Sequence, residues 1–329
     1  MNEKTVKAVL NKYNIKYKKI LEPQSGYRNE IWPVITINNQ TINLTFFKQE
    51  PNIEERIKRS SEVSGWLANN GLPCRLQIDS RLIVLQGKSN KRVAGLYNYL
   101  PGNTIAWESY TKKHLKLLGY SMAVMHNKLT KYNKPLPPIY NEITNLTNIM
   151  YKYFTNKQVI NAISGKLQLK INVNQINTLK SHMLNCKNFP NQQALHMDFV
   201  RGNILYNIDK TETLHLNGLS VSGILDFEKT TYGYVGIDIG RTLAFLYVDC
   251  KYKKPSEVYK SFLLSGYYKK GLSSVNLNNN LLTNIILYFL LYDFYKFLAH
   301  NPYQDLHKNQ HYLRTRNILQ QFGIIERNN

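Results

Sequence analysis

Residues 195–206 read Leu-His-Met-Asp-Phe-Val-Arg-Gly-Asn-Ile-Leu-Tyr, and 28 residues after Asp198 a second apolar stretch reaches a carboxylate, Gly223-Ile-Leu-Asp226-Phe-Glu228. The runs Asn203–Ile208 and Leu219–Phe227 have the texture of paired strands, so a β-hairpin follows Asp198 directly and carries Asp226 on its second arm. A carboxylate, an amide oxygen and a second carboxylate are a set of hard donors. The first can orient a hydroxyl and take its proton, and the other two suit a hard divalent cation. Any fold for this chain has to present a loop, a hairpin and three oxygen-bearing side chains in that order.

Upstream, a short helical pattern over residues 1–12 precedes a strand from Tyr17 to Leu21 and the turn-rich run Glu22-Pro-Gln-Ser-Gly26. β-Branched and aromatic residues mark strands at Ile31–Ile37 and Thr41–Phe47, joined by Asn38-Asn39-Gln40. A helix pattern runs from Ile53 to Asn69 and stops at Asn70-Gly71-Leu-Pro73. Two further strands, Arg81–Gln86 and Arg92–Tyr99, flank Gly87-Lys-Ser-Asn-Lys91. After Leu100-Pro-Gly102 helical periodicity dominates, over Tyr110–Leu129, Glu142–Phe154, Asn174–Leu184, 255–270, 279–299 and 310–321. No internal repeat or low-complexity linker interrupts the chain. The expected boundary is a short hinge at 97–102, between an N-terminal lobe of residues 1–100 and a C-terminal lobe of residues 101–329.

A chain of 329 residues can bury a core in each of two lobes, and its 43% hydrophobic content is that of a globular protein. The polar opening Met-Asn-Glu-Lys is unlike a secretory signal. The most apolar stretch, Ile285–Tyr292, ends after eight residues at Asp293, whereas a membrane span needs about 20, so it reads as a buried helix. Cys74, Cys186 and Cys250 read as free thiols of a reducing cytoplasm. The net charge of +22 admits a nucleic-acid partner, since Lys alternates with Tyr in Lys251-Tyr252-Lys253-Lys254 and Tyr267-Tyr268-Lys269-Lys270. Scattered basic residues without an RNA-binding motif favour compositional bias instead. A basic surface still draws anionic ligands.

With these motifs in place, the chain resembles the aminoglycoside phosphotransferase/choline kinase-type family, the small-molecule branch of the protein-kinase-like fold. The resemblance is most specific over 195–245 and looser over 17–130, and no motif places 255–329. It implies an α+β, bilobal fold: an N-terminal antiparallel β-sheet lobe with one main helix, and a mostly helical C-terminal lobe with the catalytic β-hairpin. It also implies transfer of the γ-phosphate of ATP to a small-molecule hydroxyl, with Mg²⁺ bridging the phosphates. On this reading Asp198 is the catalytic base and Asn203 and Asp226 are metal ligands. His196 is a hydrogen-bonding scaffold, and Asp238, in Asp238-Ile-Gly-Arg241, braces the loop backbone. Gly26-Tyr-Arg-Asn29 resembles the family's turn over the nucleotide phosphates, and Lys48 matches its phosphate-binding strand lysine. Glu62, preferred to Glu55, is the expected helix partner of Lys48. Asn98 and Leu100 meet adenine through backbone groups. Glu228 either supports the metal ligands or is solvated, and His126 reads as a packed core histidine.

Two departures from protein kinases bear on the acceptor. Met197 stands before Asp198 where an arginine would bind a phosphorylated activation loop, and Met has no charge for that. Glu228 follows Asp226-Phe227 in place of glycine, and only 11 residues separate Asp226 from Asp238, too few for a peptide platform. Small hydroxylated molecules are therefore the expected acceptors. From Lys251 to Asn329 four acids (Glu257, Asp293, Asp305, Glu326) stand against eleven Lys/Arg. A polycationic aminoglycoside needs several carboxylates to replace its water, so a neutral or anionic metabolite is favoured over an aminoglycoside or other antibiotic. A non-catalytic kinase-fold module would be expected to lack one of Asp198, Asn203, Asp226 or Lys48, and all four are present. A basic RNA-associated protein would bind RNA with strong salt dependence, indifferent to ATP.

Overall fold

The computed structural model describes residues 1–25, 29–86, 91–208, 213–269 and 275–328. They form two compact units, one of residues 1–104 with 202–230 and one of residues 105–201 with 231–329.

The first unit opens with α1 (Glu3–Lys12), capped by Asn2, whose side chain accepts from the Thr5 N–H. Val6, Val9 and Leu10 recur at helical spacing and are fully buried against one face of a six-stranded sheet. Its strands are β1 (Tyr17–Ile20), β2 (Gln24–Ser25), β3 (Glu30–Thr36), β4 (Thr41–Phe47) and, after α2 (Ile53–Asn69), β5 (Gln77–Gln86) and β6 (Lys91–Asn98). Pairing is antiparallel throughout in the order β1-β3-β4-β6-β5, with β2 on β3. Alternation along the strands sends Trp32, Val34, Leu44, Phe46, Ala94 and Leu96 toward α1, and Phe47, Val93 and Tyr97 toward Ile57 of α2. β5 begins at Gln77, ahead of the Arg81 start that the pattern predicts. Its first residues are half-exposed and its pairing slips twice, so no clean period marks them.

Residues 202–230 complete this unit with a three-stranded antiparallel sheet, Ile204–Asn207, Leu214–Leu216 and Leu219–Ile224. Asn217 and Gly218, at φ 56° and 78°, make the two-residue turn that suits the twist of its flanking strands. The segment after β6 holds the hairpin here. Asn103 and Tyr206 exchange backbone hydrogen bonds of 3.1 and 2.9 Å, and the Ser222 hydroxyl donates to the Pro101 carbonyl at 2.6 Å. Gly102, at φ 117°, is required at that crossing, because a Cβ there would lie 2.3 Å from Ser222 Oγ. Through these bonds the hairpin groups with residues 1–104, whereas the linear boundary at 97–102 runs it with residues 101–329.

The second unit is mostly helical: α3 (Lys112–Leu129), α4 (Ile139–Phe154), α5 (Lys157–Leu167), α6 (Val173–Asn185), α7 (Val235–Asp249), α8 (Pro255–Tyr259), α9 (Asn279–His300) and α10 (Gln310–Gln321). Thr111 and His114 form a capping box at the start of α3. The pattern over 255–270 predicts one helix, but α8 runs into a π-helix, Lys260–Tyr267. That segment crosses α3 with backbones nearly touching: a Cβ on Gly119 would lie 2.0 Å from the Phe262 carbonyl oxygen. Two short antiparallel pairs, Gln192–Leu195 with Thr231–Tyr234 and Leu169–Ile171 with Ile325–Arg327, complete the unit. Among the described residues, α9 alone is long and apolar enough to cross a membrane, with a mean hydropathy of 1.4 in its most apolar window. It packs against α6, α7 and α10, and 61% of that window is buried, the surroundings of a core helix.

Candidate active site

In the second unit, the strand Gln192–Leu195 leads into His196, and its partner Thr231–Tyr234 leads into α7. The pairing sets the loop beside the first turn of α7, where Asp238 is wholly buried. Asp238 Oδ2 accepts from the His196 N–H at 2.7 Å and Oδ1 from the Met197 N–H at 2.9 Å, while His126 Nε2 lies 3.1 Å from Oδ2. Burial acts to raise the Asp238 pKa. The hydrogen bond and charge of His126, with the backbone bond of His196, outweigh it and hold the carboxylate below its ordinary value.

Met197 adopts φ 62°, a left-handed conformation that costs a non-glycine residue about 1–3 kcal/mol. Arg241, three residues after Asp238 on the same helix, donates from Nε to the Met197 carbonyl at 2.9 Å. One helix face therefore grips the strained residue by both its N–H and its C=O. Arg241 is itself fixed between the rings of Phe245 and Phe289, at 4.7 and 4.8 Å. Asp198 follows, half-buried, with its N–H donating to His196 Nδ1 at 3.1 Å. That bond makes Nδ1 an acceptor, so the His196 ring braces the loop. His126 is packed, at 2% exposure, and its Nδ1 lies 2.9 Å from the Tyr267 hydroxyl at the end of the π-helix.

In the first unit, the base of the hairpin brings Asn203 and Asp226 together. Ile204 pairs with Ile224, and the Leu225 N–H donates to the Asn203 carbonyl at 2.8 Å. Asp226 is left-handed at φ 58°. An amide oxygen and a carboxylate fit Mg²⁺, which takes few protein ligands and keeps several waters. Among the described residues no group of three or more His, Cys, Asp or Glu is placed to hold a metal by itself.

Glu228 is not solvated. At 4% exposure it accepts from Asn29 Nδ2 at 3.1 Å and from Arg56 Nη2 at 3.3 Å. Burial raises its pKa and the charge of Asp226 adds to this, while the Asn29 bond and the Arg75 and Arg56 charges pull the other way. The Asn29 side-chain oxygen accepts from the Lys48 N–H at 3.2 Å, and Arg56 also holds Glu50 at 2.5 Å. One chain of bonds thus links the end of β4, the approach to β3, the segment of Asp226 and α2.

Other sequence-named residues lie as follows. Lys48 is exposed just after β4, and Glu62 is exposed on α2. Among the described residues no ion pair joins them, and the α2 acids Glu54 and Glu55 pair with Lys91 at 2.5 Å and Arg59 at 4.0 Å. A cavity of about 360 Å³ beside Lys48 carries Glu50, Glu54 and Glu55 on its wall together with Lys48 and Lys91, and Glu54 is paired with Lys91 and Glu50 with Arg56. The Asn98 N–H is committed to the Leu76 carbonyl at 3.0 Å and its side chain accepts from the Leu76 N–H at 2.8 Å. Leu100 lies half-buried just beyond β6. Gly26 falls outside the described residues. The sequence reading gave no role to Arg56, Arg75 and Arg241. Arg241 carried a signal in its three-residue spacing from Asp238. Arg56 and Glu228 are 172 residues apart, and nothing local links them.

Comparison with known proteins bears on the fold and the family. Mouse (Mus musculus) hydroxylysine kinase is 24% identical over 217 residues, covering 59% of this chain and 54% of that protein, so the match spans about half of the relative's length. A microcompartment-associated aminopropanol kinase superposes with a TM-score of 0.69 at 13% identity, covering 97% of this chain and 99% of its own. An amicoumacin kinase solved with AMP-PNP and Ca²⁺ gives 0.68 at 13% identity, covering 96% of each chain. At such identities the structural likeness speaks for a shared kinase-like α+β fold. The profile of the phosphotransferase enzyme family (APH) matches residues 19–252, and the chain belongs to that family.

Proposed function

We propose that this chain is an ATP-dependent phosphotransferase that moves the γ-phosphate to a hydroxyl of a small molecule. The observation that carries this reading is the grip of Asp238 and Arg241 on strained Met197, which fixes the backbone next to Asp198. A general base works only when held in place, and such positioning is most of what phosphoryl transfer asks of a protein. Asp198 orients the acceptor hydroxyl and takes its proton. Asn203 and Asp226 are the residues that hold Mg²⁺, which when bound neutralises charge on the phosphates. Asn29 and Lys48 serve the phosphates, a role that Gly26 takes by resemblance to the family's turn, with Glu62 as the helix partner of Lys48, and Asn98 and Leu100 meet the adenine through backbone groups. His196 and Asp238 hold the loop. Residues 1–100 serve the nucleotide phosphates, and residues 101–329 carry the catalytic loop, the metal site and the acceptor-binding helices.

Favoured acceptors are neutral or anionic metabolites, because cations exceed acids over 251–329. The names hydroxylysine kinase and aminopropanol kinase point to small hydroxylated acceptors, and because both molecules carry an amine they speak for the hydroxyl and not for the favoured charge. In the two basic-aromatic runs that the RNA reading uses, Tyr267 is 1% exposed and has no face to stack on a base, whereas Tyr252 is 74% exposed and has one. A cytoplasmic setting, where ATP meets reduced thiols, belongs to this reading. Its test is a screen of hydroxylated metabolites and antibiotics for acceptor-dependent ADP release, with Asp198→Ala beside the wild type. Loss of about 10²–10⁴-fold in turnover with nucleotide binding retained is expected. Unchanged turnover in that variant would remove Asp198 as the base, and efficient phosphorylation of kanamycin would overturn the acceptor class.

A further inference from the structure

The loop that carries Asp198 continues to Arg201, where three other stretches of the second unit meet it. Asp249, the last residue of α7, lies 3.4 Å from Arg201 Nε through one oxygen and 3.3 Å from His311 Nε2 of α10 through the other. The His311 ring packs on Trp107 with centroids 4.6 Å apart, and Lys251 Nζ sits 4.9 Å from the centre of the Trp107 ring. Arg201, Asp249 and His311 remain reachable by solvent, at 33%, 15% and 35% side-chain exposure.

Fastening the fold does not require these charges. Arg314 already donates to the carbonyls of Tyr247 at 2.7 Å, Cys250 at 3.1 Å and Lys253 at 3.2 Å, and to that of Lys251, closing the C-terminal end of α7. What remains is Arg201 and His311 around the Asp249 carboxylate, with Lys251 as a second permanent cation on the Trp107 ring that His311 packs against. Asp249 meets Arg201 along its Nε edge, and a guanidinium has four further N–H groups in a planar fork that matches a carboxylate or phosphate. Arg201 is three residues from Asp198, so their Cα atoms are at most about 10 Å apart, the span of a small metabolite.

We infer that this cluster is the acceptor subsite and that it takes a hydroxylated molecule bearing an anionic group, a carboxylate or a phosphate. The inference rests on the phosphotransferase reading and narrows its acceptor class. Arg201 and Lys251 bind the anionic group, Trp107 flanks the carbon chain, and Asp249 sets the angle of the Arg201 fork. A polyamine would meet two cations and a single, already paired carboxylate, which cannot replace its water.

The test offers wild type, Arg201→Gln and Lys251→Met four probe classes. They are hydroxy acids (glycerate, 3-hydroxybutyrate), a sugar phosphate (ribose 5-phosphate), neutral polyols (glycerol, ribose) and amines (1-amino-2-propanol, kanamycin). ADP release and calorimetric binding with a non-hydrolysable nucleotide are read in parallel, with melting curves to show that each variant is folded. An anionic probe should be preferred, and both substitutions should raise its KM or Kd at least tenfold. The hydroxy-acid and sugar-phosphate arms tell the two anions apart. Equal or better use of a neutral or amine probe, unchanged constants in both variants, or no binding of any anionic probe would overturn the subsite. Binding of an anionic probe that both substitutions weaken, without ADP release by the wild type, would uphold the subsite and overturn the phosphotransferase reading instead.

Discussion

Asp238 accepts from two backbone N–H groups and sits against His126 while wholly buried, so asparagine in its place keeps the shape and breaks the chemistry. Whichever way the amide turns, one NH₂ faces a donor. Breaking a buried charged arrangement costs about 3–5 kcal/mol. Asp238→Asn is therefore expected to lower stability by that order and to cut turnover at least about a hundredfold, since Met197 loses its clamp and Asp198 its placement. The pH dependence has a definite sign. The folded pKa of Asp238 is depressed, so its stabilisation is fully present above the unfolded value of about 3.9 and is lost as pH falls through the lower folded value. Urea denaturation from pH 3 to 7 should show a shallower acid limb in the variant than in the wild type, and equal slopes would rule the linkage out. Asp198, Asn203 and Asp226 were expected from the sequence through their resemblance to the family's motifs, and the short hairpin between the last two explains why Asn203 and Asp226 meet at its base. The Arg56–Glu228 bond could not be expected so, because two distant stretches meet there only through the sheet and α2.

Elements were legible where a buried stripe repeats. The sequence pattern for α2 has the bounds of the helix itself, and those of α9 and α10 fall within a residue, each having several buried residues that set its extent. α5 left no such trace, having Ile163 as its one buried residue. The π-helix was invisible for another reason: its form goes with a crossing over Gly119 and Gly266, and neither glycine announces what packs on it. Two alanine substitutions in helices should therefore act in opposite directions. In Gly119→Ala the new methyl meets the Phe262 carbonyl oxygen at 2.0 Å and the Tyr267 nitrogen at 2.8 Å, backbone atoms that cannot step aside singly. A loss of about 3 kcal/mol is expected, with reduced turnover because Tyr267 bonds His126 beside Asp238. In Gly165→Ala, within α5, nothing lies within 4 Å of the new methyl, and the better helix former should add about 0.5–1 kcal/mol. Chemical denaturation of both variants checks the pair, and a stabilised Gly119→Ala would mean that the two backbones do not cross so closely.

The charge of the molecule is a property of no single site. The chain holds 43 Lys/Arg against 21 Asp/Glu, and among the described residues many acids already face a cation, as in Glu3–Lys7, Glu54–Lys91, Asp79–Arg81, Asp293–Lys296 and Asp305–Lys308. Such pairs largely cancel beyond the Debye length of about 8 Å at physiological salt, which leaves the excess lysines and arginines as the source of a positive field. ATP carries several negative charges, so that field should act on its rate of capture more than on its residence time. The association rate constant of a fluorescent ATP analogue, measured by stopped flow at fixed Mg²⁺, is expected to fall about tenfold between about 20 and 500 mM NaCl, with dissociation nearly constant. Asp226→Asn should weaken nucleotide affinity yet keep the same salt slope, since one side chain contributes little to a field summed over the whole surface. An RNA oligomer in the same experiment reports the rival use of the charge, because its slope counts the phosphates neutralised. A flat ATP profile beside a steep RNA profile would shift the role of the basic surface from nucleotide capture to nucleic acid.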